Sequence, residues 1–345
     1  MGALVIVLAD LYLTGEPDRK PVASMPSASP GLDSFARFGA RAACPEGWRH
    51  AVAQVVGLPP LAPATAAAAG IVAPAGARTA WVATPLYLAA GLTTLHLDRR
   101  SILRLASAEL ASLTADFNRT FEDSGFTLVP LESGEALLFA AEEQIAKTVE
   151  PARIVGEDVA QALPDGAGAA TLRRLGAEME LWLHDHPLNR ARGARGEPPL
   201  STLWIWGGGK VEQSVPQAAS APHTAMTFGS DSTLQGLAKL AGLQTRPLPG
   251  TLDEALSYSA AANLLVVNLV LIMEVGPVLR ANSGWTLADA MAELDRRFIE
   301  PAIRAVRRGQ LGQATLIAND RRLVYGSRDH LRLWRRARVG LEALR

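Results

Sequence analysis

The sequence predicts an α/β protein with a mostly parallel sheet and helices on both faces. Three observations carry that expectation. Apolar, β-rich runs such as residues 3–9 lack polar alternation, as strands buried on both faces do. These runs alternate along the chain with stretches of helical apolar periodicity. The 345 residues are 48% apolar and 20% charged, enough for one large core or two smaller ones.

Residues 3–9 form the first strand, and Asp10 follows it. Pro, Ser and Gly crowd 17–31, a loop. Residues 33–41 form a short helix with Leu32, Phe35, Ala36 and Phe38 on or near one face. The Pro- and Ala-rich stretch 57–74 holds a short helix at 62–69, and 81–88 and 93–97 read as strands. An amphipathic helix spans 100–124 on Ile102, Leu103, Leu105, Leu110, Leu113 and Phe117, and stops at Gly125. Strands at 126–130 and 136–140 join through a turn at 132–135. A helix at 171–183 and a strand at 203–206, ended by three glycines, come next. Strand 224–228, helix 234–240 and strand 264–273 continue the alternation. The helix at 287–308 contains Pro301, which predicts a kink or break. Strands 314–318 and 322–325 flank the turn residues Asn319 and Asp320, and an Arg-rich tail starts at Arg328. By this rhythm 1–80 and 166–345 form the core, and 81–165 a small α+β insert.

Lys plus Arg equals Asp plus Glu, so the whole chain offers no electrostatic case for nucleic acid. The one cysteine, Cys44, permits no intramolecular disulfide and fits a reducing compartment. The opening MGALVIVLAD lacks a basic flank and reads as a buried strand, not a signal peptide. The run 264–273 is too short to cross a bilayer. A cytoplasmic protein without membrane association is expected.

Ligands of parallel sheets collect at the carboxyl ends of strands. That rule selects Asp10, the segment 207–210 and Asp231. The densest polar cluster, 181–210, holds His184, Asp185, His186, Asn189, Arg190, Arg192, Arg195 and Lys210. His184 and His186 stand two apart at a helix end before Pro187 and do not share a helix face. Either one joins ligands from elsewhere, or both serve the free carbonyls of the helix end. Gly207, Gly208 and Gly209 permit close anion approach or make an ordinary turn, and no GxGxxG or Walker pattern occurs. Asp10 and Asp231 each read as a ligand or a cap, and Asp320 as a ligand or a turn residue. Trp204 and Trp206 read as core or pocket wall.

The string HDHPLNRARGARGEPPLSTLWIWGGG resembles the hallmark of the RpfE-type regulatory proteins of bacteria, with Asn189 and WIWGGG its most specific parts. That family is in turn distantly similar to archaeal-type cofactor-independent phosphoglycerate mutases of the alkaline phosphatase superfamily. The first strand ending at Asp10, SASPGLDSFARFGA, FGSDSTLQGLAKLAG and ELDRRFIEPAIRAVRRGQL agree in the same order. The resemblance implies an alkaline-phosphatase-like core. It also implies two metals on Asp and His ligands at strand ends, and a Ser nucleophile. Asp10 stands where the first metal-binding Asp would stand. In LAPATAAAAG the only hydroxyl is Thr65. TLIANDRR offers Asp320 but Arg321 in place of a His, and no Asp-x-x-Gly-His occurs. Two metals need several anionic or imidazole ligands, and only Asp10, Asp231 and Asp320 offer themselves. The expectation is a regulatory protein without catalytic metals or cofactor. It would bind a small phosphorylated metabolite or a protein partner through His184, His186, Asn189, Arg192, Trp206, Gly208 and Lys210. The alternative is a Mn- or Zn-dependent phosphotransferase, a mutase or phosphatase, with Thr65 as nucleophile.

Overall fold

The computed structural model describes residues 2–13, 29–69, 71–91, 94–143, 146–211, 225–261, 268–332, 334–335, 340–341 and 344. Two units emerge. Met1–Pro59, Ala218–Ser230 and Ala241–Arg345 form the first; Pro60–Gln217 and Asp231–Leu240 form the second. In chain order, β1 (Ala3–Leu8), α1 (Pro30–Phe38), β2 (Ala40–Ala43) and α2 (Gly47–Val55) open the first unit. The second contributes α3 (Pro63–Ala68), β3 (Thr79–Leu86), β4 (Ala89–Ala90), β5 (Leu95–His96) and α4 (Ser107–Thr120). It continues with β6 (Phe126–Pro130), β7 (Ala136–Ala140), α5 (Ala169–His184), α6 (Pro187–Ala194) and β8 (Thr202–Lys210). After β9 (Ala225–Phe228) in the first unit, α7 (Ser232–Leu240) returns to the second. The chain ends in the first unit with β10 (Thr245–Arg246), α8 (Leu252–Ala261), β11 (Asn268–Met273), α9 (Val275–Ala281), α10 (Leu287–Leu294), α11 (Glu300–Arg307), β12 (Gln313–Ala318) and β13 (Arg321–Gly326).

The first unit is built on a seven-stranded sheet, β10-β9-β11-β1-β12-β13-β2. Its strands from β10 to β12 run parallel, and β13 and β2 add antiparallel edges. The mostly parallel α/β architecture is thus present. Leu4, Ile6 and Leu8 point to one face, as period-two alternation requires. There they join Leu269, Leu271, Leu316 and the buried Phe35, Leu294, Phe298 and Val306 of α1, α10 and α11. Each such fully buried aliphatic side chain contributes about 1.5–3 kcal/mol. α2 lies over the other face, where Ala51 and Val55 line a cavity with Val5, Thr315 and Ile317. The β12–β13 hairpin turns on Asn319 and Asp320, at φ 50° and 54°. Asn and Asp tolerate this left-handed conformation, which two-residue hairpin loops need.

The helical run from Leu287 to Arg307 does not break at Pro301. It widens into a π turn over Asp295–Ile299 just before the proline. Pro301 has no N–H for the carbonyl four residues earlier, and the wider turn absorbs that gap. The turn also sets Asp295 against α1. Its carboxylate accepts the N–H groups of Gly31 (3.0 Å) and Leu32 (2.7 Å), supplying the cap that Ser29 does not.

The second unit carries an antiparallel sheet, β6-β7-β3-β8. Trp81, Leu138 and Leu203 of the sheet pack with Leu113 and Phe117 of α4 and Leu172, Leu175 and Met179 of α5. Three expectations need correction. The helix expected over 100–124 starts only at Ser107. Ile102, Leu103 and Leu105 are extended instead: Ile102 bridges Leu86, and the Leu103 N–H donates to the Pro85 carbonyl at 2.9 Å. The strand at 203–206 does not stop at the glycines but continues to Lys210. The expected insert at 81–165 lies inside a larger unit, because β8 pairs with β3 from Thr202 to Lys210 and takes α5 and α6 with it. Segment 207–210 is therefore not the end of a parallel strand. Elements α2, α6, α8, α9, β2, β4 and β10 went unread. Most of the expected loop 17–31, and the start of the strand at 264–273, fall outside the described residues. Among the described residues no helix is long and apolar enough to cross a membrane.

Asp295 gives the first unit a testable pH dependence. The side chain is fully buried, and burial pushes its carboxyl up to about 6 against the two N–H donors that lower it. The unfolded carboxyl titrates near 4, so between the two values the folded state holds the proton more tightly. This group's stabilising contribution is full below about pH 4 and declines as pH rises to about 6, by up to about 3 kcal/mol. Urea unfolding between pH 4 and 6 should show that decline in the native chain and lose it in Asp295→Asn. Parallel curves for the two proteins would refute the assignment.

Candidate functional site

Asp10 follows β1, beside β11 in register Leu8↔Met273. α9 begins two residues after β11 ends, so its first amides face Asp10. Both carboxylate oxygens are used there: the N–H groups of Val275 and Gly276 each donate to one at 2.7 Å. A negative charge at a helix start is favourable, and these two short bonds make Asp10 the cap of α9. Asp320 sits at the hairpin apex, and its carbonyl accepts the Cys44 N–H at 2.6 Å. Burial pushes the Cys44 thiol up, and the charge of Asp320 adds to that. Asp231 accepts the Leu234 N–H at 2.9 Å and caps α7.

The donor set that two metals would need does not fit these residues. Among the described residues no group of three or more His, Cys, Asp or Glu side chains could hold a metal ion.

Thr65 lies in the short helix α3, buried, and its hydroxyl donates to the Lys210 carbonyl at 3.0 Å. A peptide carbonyl is no general base, so this contact does not activate the oxygen. The glycines of β8 explain the arrangement. A Cβ on Gly209 would collide with Thr65 Oγ1, one on Gly208 with the Trp81 indole, and one on Gly207 would stand 2.8 Å from Pro63 Cβ. On the opposite side of α3, a Cβ on Gly236 of α7 would collide with the Ala66 carbonyl. The triplet thus admits a helix, and no anion cradle is needed to account for it. The Lys210 ammonium pairs with Glu143 at 2.8 Å, and the Gly207 N–H donates to Thr148 Oγ1 at 3.0 Å.

The motif from His184 to Gly209 is bound up in the same unit. His184 ends α5 on its exposed side. His186 is the cap of α6: its Nδ1 accepts the Leu188 N–H at 3.2 Å, and its Nε2 lies 3.4 Å from Asp116. With Nδ1 accepting, the neutral ring carries its proton on Nε2. Burial holds the imidazole below its ordinary value, opposed by Asp116. Asn189 is a three-way clamp. Its amide donates to the carbonyls of Leu183 (2.8 Å) and Leu200 (2.9 Å), and its oxygen accepts the Leu200 N–H at 2.7 Å. Buried Arg192 donates to the Pro198 carbonyl and pairs with Glu109 at 3.0 Å, and Arg195 pairs with Glu109 and Glu197. The Trp206 indole N–H donates to Thr84 Oγ1 at 2.8 Å, and that hydroxyl donates to Glu135 at 2.7 Å. Glu135 is the residue sequence reasoning missed. It is 3% exposed and also holds Arg104 at 3.2 Å and Ser232 at 3.3 Å. No spacing along the chain signals it, because its partners Thr84, Arg104 and Ser232 come from three separate segments.

The Asn189 clamp predicts its own test. Asn189→Ala strands the Leu200 N–H and loses both carbonyl contacts, which should cost about 2–4 kcal/mol. Asn189→Asp keeps the acceptor but sets a carboxylate oxygen against the Leu183 and Leu200 carbonyls, and should cost at least as much. Denaturant midpoints measure both, and a loss under about 1 kcal/mol for the alanine variant would show that the clamp is dispensable.

No protein-family model matches the chain. Segments of it are similar to 2,3-bisphosphoglycerate-independent phosphoglycerate mutases. Mutase 2 of Methanothermobacter thermautotrophicus is 28% identical over 148 residues, 42% of this chain and 37% of its own. A probable mutase of Geobacter sulfurreducens is 29% identical over 102 residues, 30% of this chain and 26% of its own. The mutase of Methanothrix thermoacetophila is 27% identical over 185 residues, 49% of this chain and 45% of its own. The matched part thus spans less than half the length of each relative. Among solved structures, the cofactor-independent phosphoglycerate mutase of Thermoplasma acidophilum aligns over 94% of this chain and 90% of its own, at 17% identity and a TM-score of 0.39. The PH0037 protein of Pyrococcus horikoshii aligns over 94% and 87%, at 14% identity and a TM-score of 0.46. The chain is distantly similar in sequence to cofactor-independent phosphoglycerate mutases.

Proposed function

We propose that this chain is a cytoplasmic regulatory protein of the RpfE type, using a phosphoglycerate-mutase-like scaffold to bind rather than to transfer phosphoryl groups. The ligand is a small phosphorylated metabolite or a protein partner. The observation that supports this reading is Asp10, whose carboxylate caps α9 by accepting its first two amides. Thr65 supports it, since its hydroxyl serves a carbonyl. So does the motif cluster, whose Asn189, Arg192 and Trp206 spend their polar atoms within the fold. Nucleic acid is disfavoured by the zero net charge. The basic tail also has work of its own: Arg332 and Arg335 donate to the carbonyls that end α1, Phe38 and Gly39. The second reading, a metal-dependent mutase or phosphatase, draws on the names of the relatives in sequence.

Metal retention separates the two. The purified chain is loaded with manganese and zinc, desalted, and analysed by elemental mass spectrometry. Interconversion of 2- and 3-phosphoglycerate is measured on the same sample. Retention well below one equivalent and no turnover are expected. One or two equivalents, lost in Asp10→Ala and accompanied by turnover, would establish the enzyme reading instead.

A further inference from the structure

Between α5 and β8 the second unit carries a pocket of about 230 Å³, open to solvent on one side. Leu203, Trp204 and Ile205 of β8 form one side, Leu163 and Pro164 another, and α5 the third. None of the residues discussed above as mutase-like lines it. The volume lies below the range of about 300–1,000 Å³ for drug-sized ligands and suits a molecule of amino-acid size.

Gly176 marks this cavity as built. Glycine in a helix interior costs about 1 kcal/mol relative to alanine. The glycines of β8 are required by close packing, but a Cβ on Gly176 would meet nothing within 4 Å. Neither packing nor backbone conformation demands glycine there. Its effect is open space in the middle of the helix wall. On either side of that space α5 presents opposite charges, Arg173 and Glu180. They stand seven residues apart, two turns along one face, with Cα atoms about 10 Å apart. Both are exposed residues at the lining of the pocket, one charge of each sign for a zwitterion to meet. The helix's own ion pair is made by Arg174 with Glu178 and leaves these two aside. Burial raises the Glu180 carboxyl, and the Thr202 hydroxyl lowers it by bonding to it. The Trp204 ring is fixed by its indole N–H, which donates to the Val149 carbonyl at 2.7 Å. At the rim Leu163 stays 47% exposed, apolar surface that a bound side chain would cover.

We propose that this cavity binds a free amino acid with a large apolar side chain. The ligand's carboxylate meets Arg173, its ammonium meets Glu180, and its side chain lies against Trp204, Ile205 and Leu163. A peptide terminus carries only one of the two charges and does not satisfy the wall.

Isothermal titration of the full chain with L-phenylalanine and L-leucine tests this. Phenethylamine and 3-phenylpropanoate, each lacking one charge, are the comparison probes. Saturable binding is expected for the amino acids, with each single-charge probe about tenfold weaker or more. Gly176→Leu fills the cavity with a better helix former and should abolish binding while circular dichroism stays unchanged. Arg173→Gln should weaken phenylalanine but not phenethylamine, and Glu180→Gln should weaken phenylalanine but not 3-phenylpropanoate. Absence of saturation at millimolar phenylalanine would overturn the proposal. So would equal affinity for the single-charge probes, or unchanged binding in both charge variants. The two charge variants decide the matter even if Gly176→Leu does not fold.

Discussion

The second unit depends on how closely α3 approaches the backbones on both sides of it. Gly207 and Gly209 of β8 and Gly236 of α7 remove the Cβ atoms that would hold those elements apart. A helix of Pro, Ala and Thr can fill the resulting slot, whereas a helix of larger side chains cannot. The Thr65 hydroxyl then has one neighbour of suitable chemistry, the Lys210 carbonyl, and donates to it. What looks in isolation like a hydroxyl nucleophile beside a glycine loop is thus the consequence of packing two backbones at short range.

A second theme runs through both units: polar side chains, some adjacent in sequence and some from distant segments, close helix starts. Asp10 serves α9, Asp295 serves α1, Asp231 serves α7, and His186 serves α6. Each leaves fewer unsatisfied amides, and each carboxylate also meets the positive end of a helix dipole. The cost falls on reactivity. A carboxylate oxygen that already accepts a backbone N–H is a poorer place for a cation, and an imidazole whose Nδ1 accepts an amide has only its other nitrogen to offer.

How much of this was legible in the sequence depends on the range of the interaction. The first strand, the Asn319–Asp320 turn and the helix start at Asp231 are written in neighbouring residues, and local patterns located them. The start of α4 was not, because Ile102, Leu103 and Leu105 satisfy a helical spacing and an extended one equally well. Only the pairing of Ile102 with Leu86 decides between them. The continuation of β8 through three glycines was hidden for a related reason. Glycine ordinarily ends a strand, and the partner that retains it here, α3, lies far back in the chain. Glu135 and the reach of the second unit are longer-range still. Both depend on which strands pair with β3, and periodicity carries no information about that.

The same distinction governs what the resemblance can carry. Its most specific residues, Asn189 and the WIWGGG run, are those whose atoms the fold uses most completely. Asn189 ties α5 and the approach to β8 together, Trp206 closes the Thr84–Glu135 network, and the glycines admit α3. Likeness concentrated in such residues is evidence of a shared way of packing. That likeness bears on packing alone, and the roles the fold gives Thr65 and Asp320, a bond to the Lys210 carbonyl and a hairpin apex, are packing roles as well.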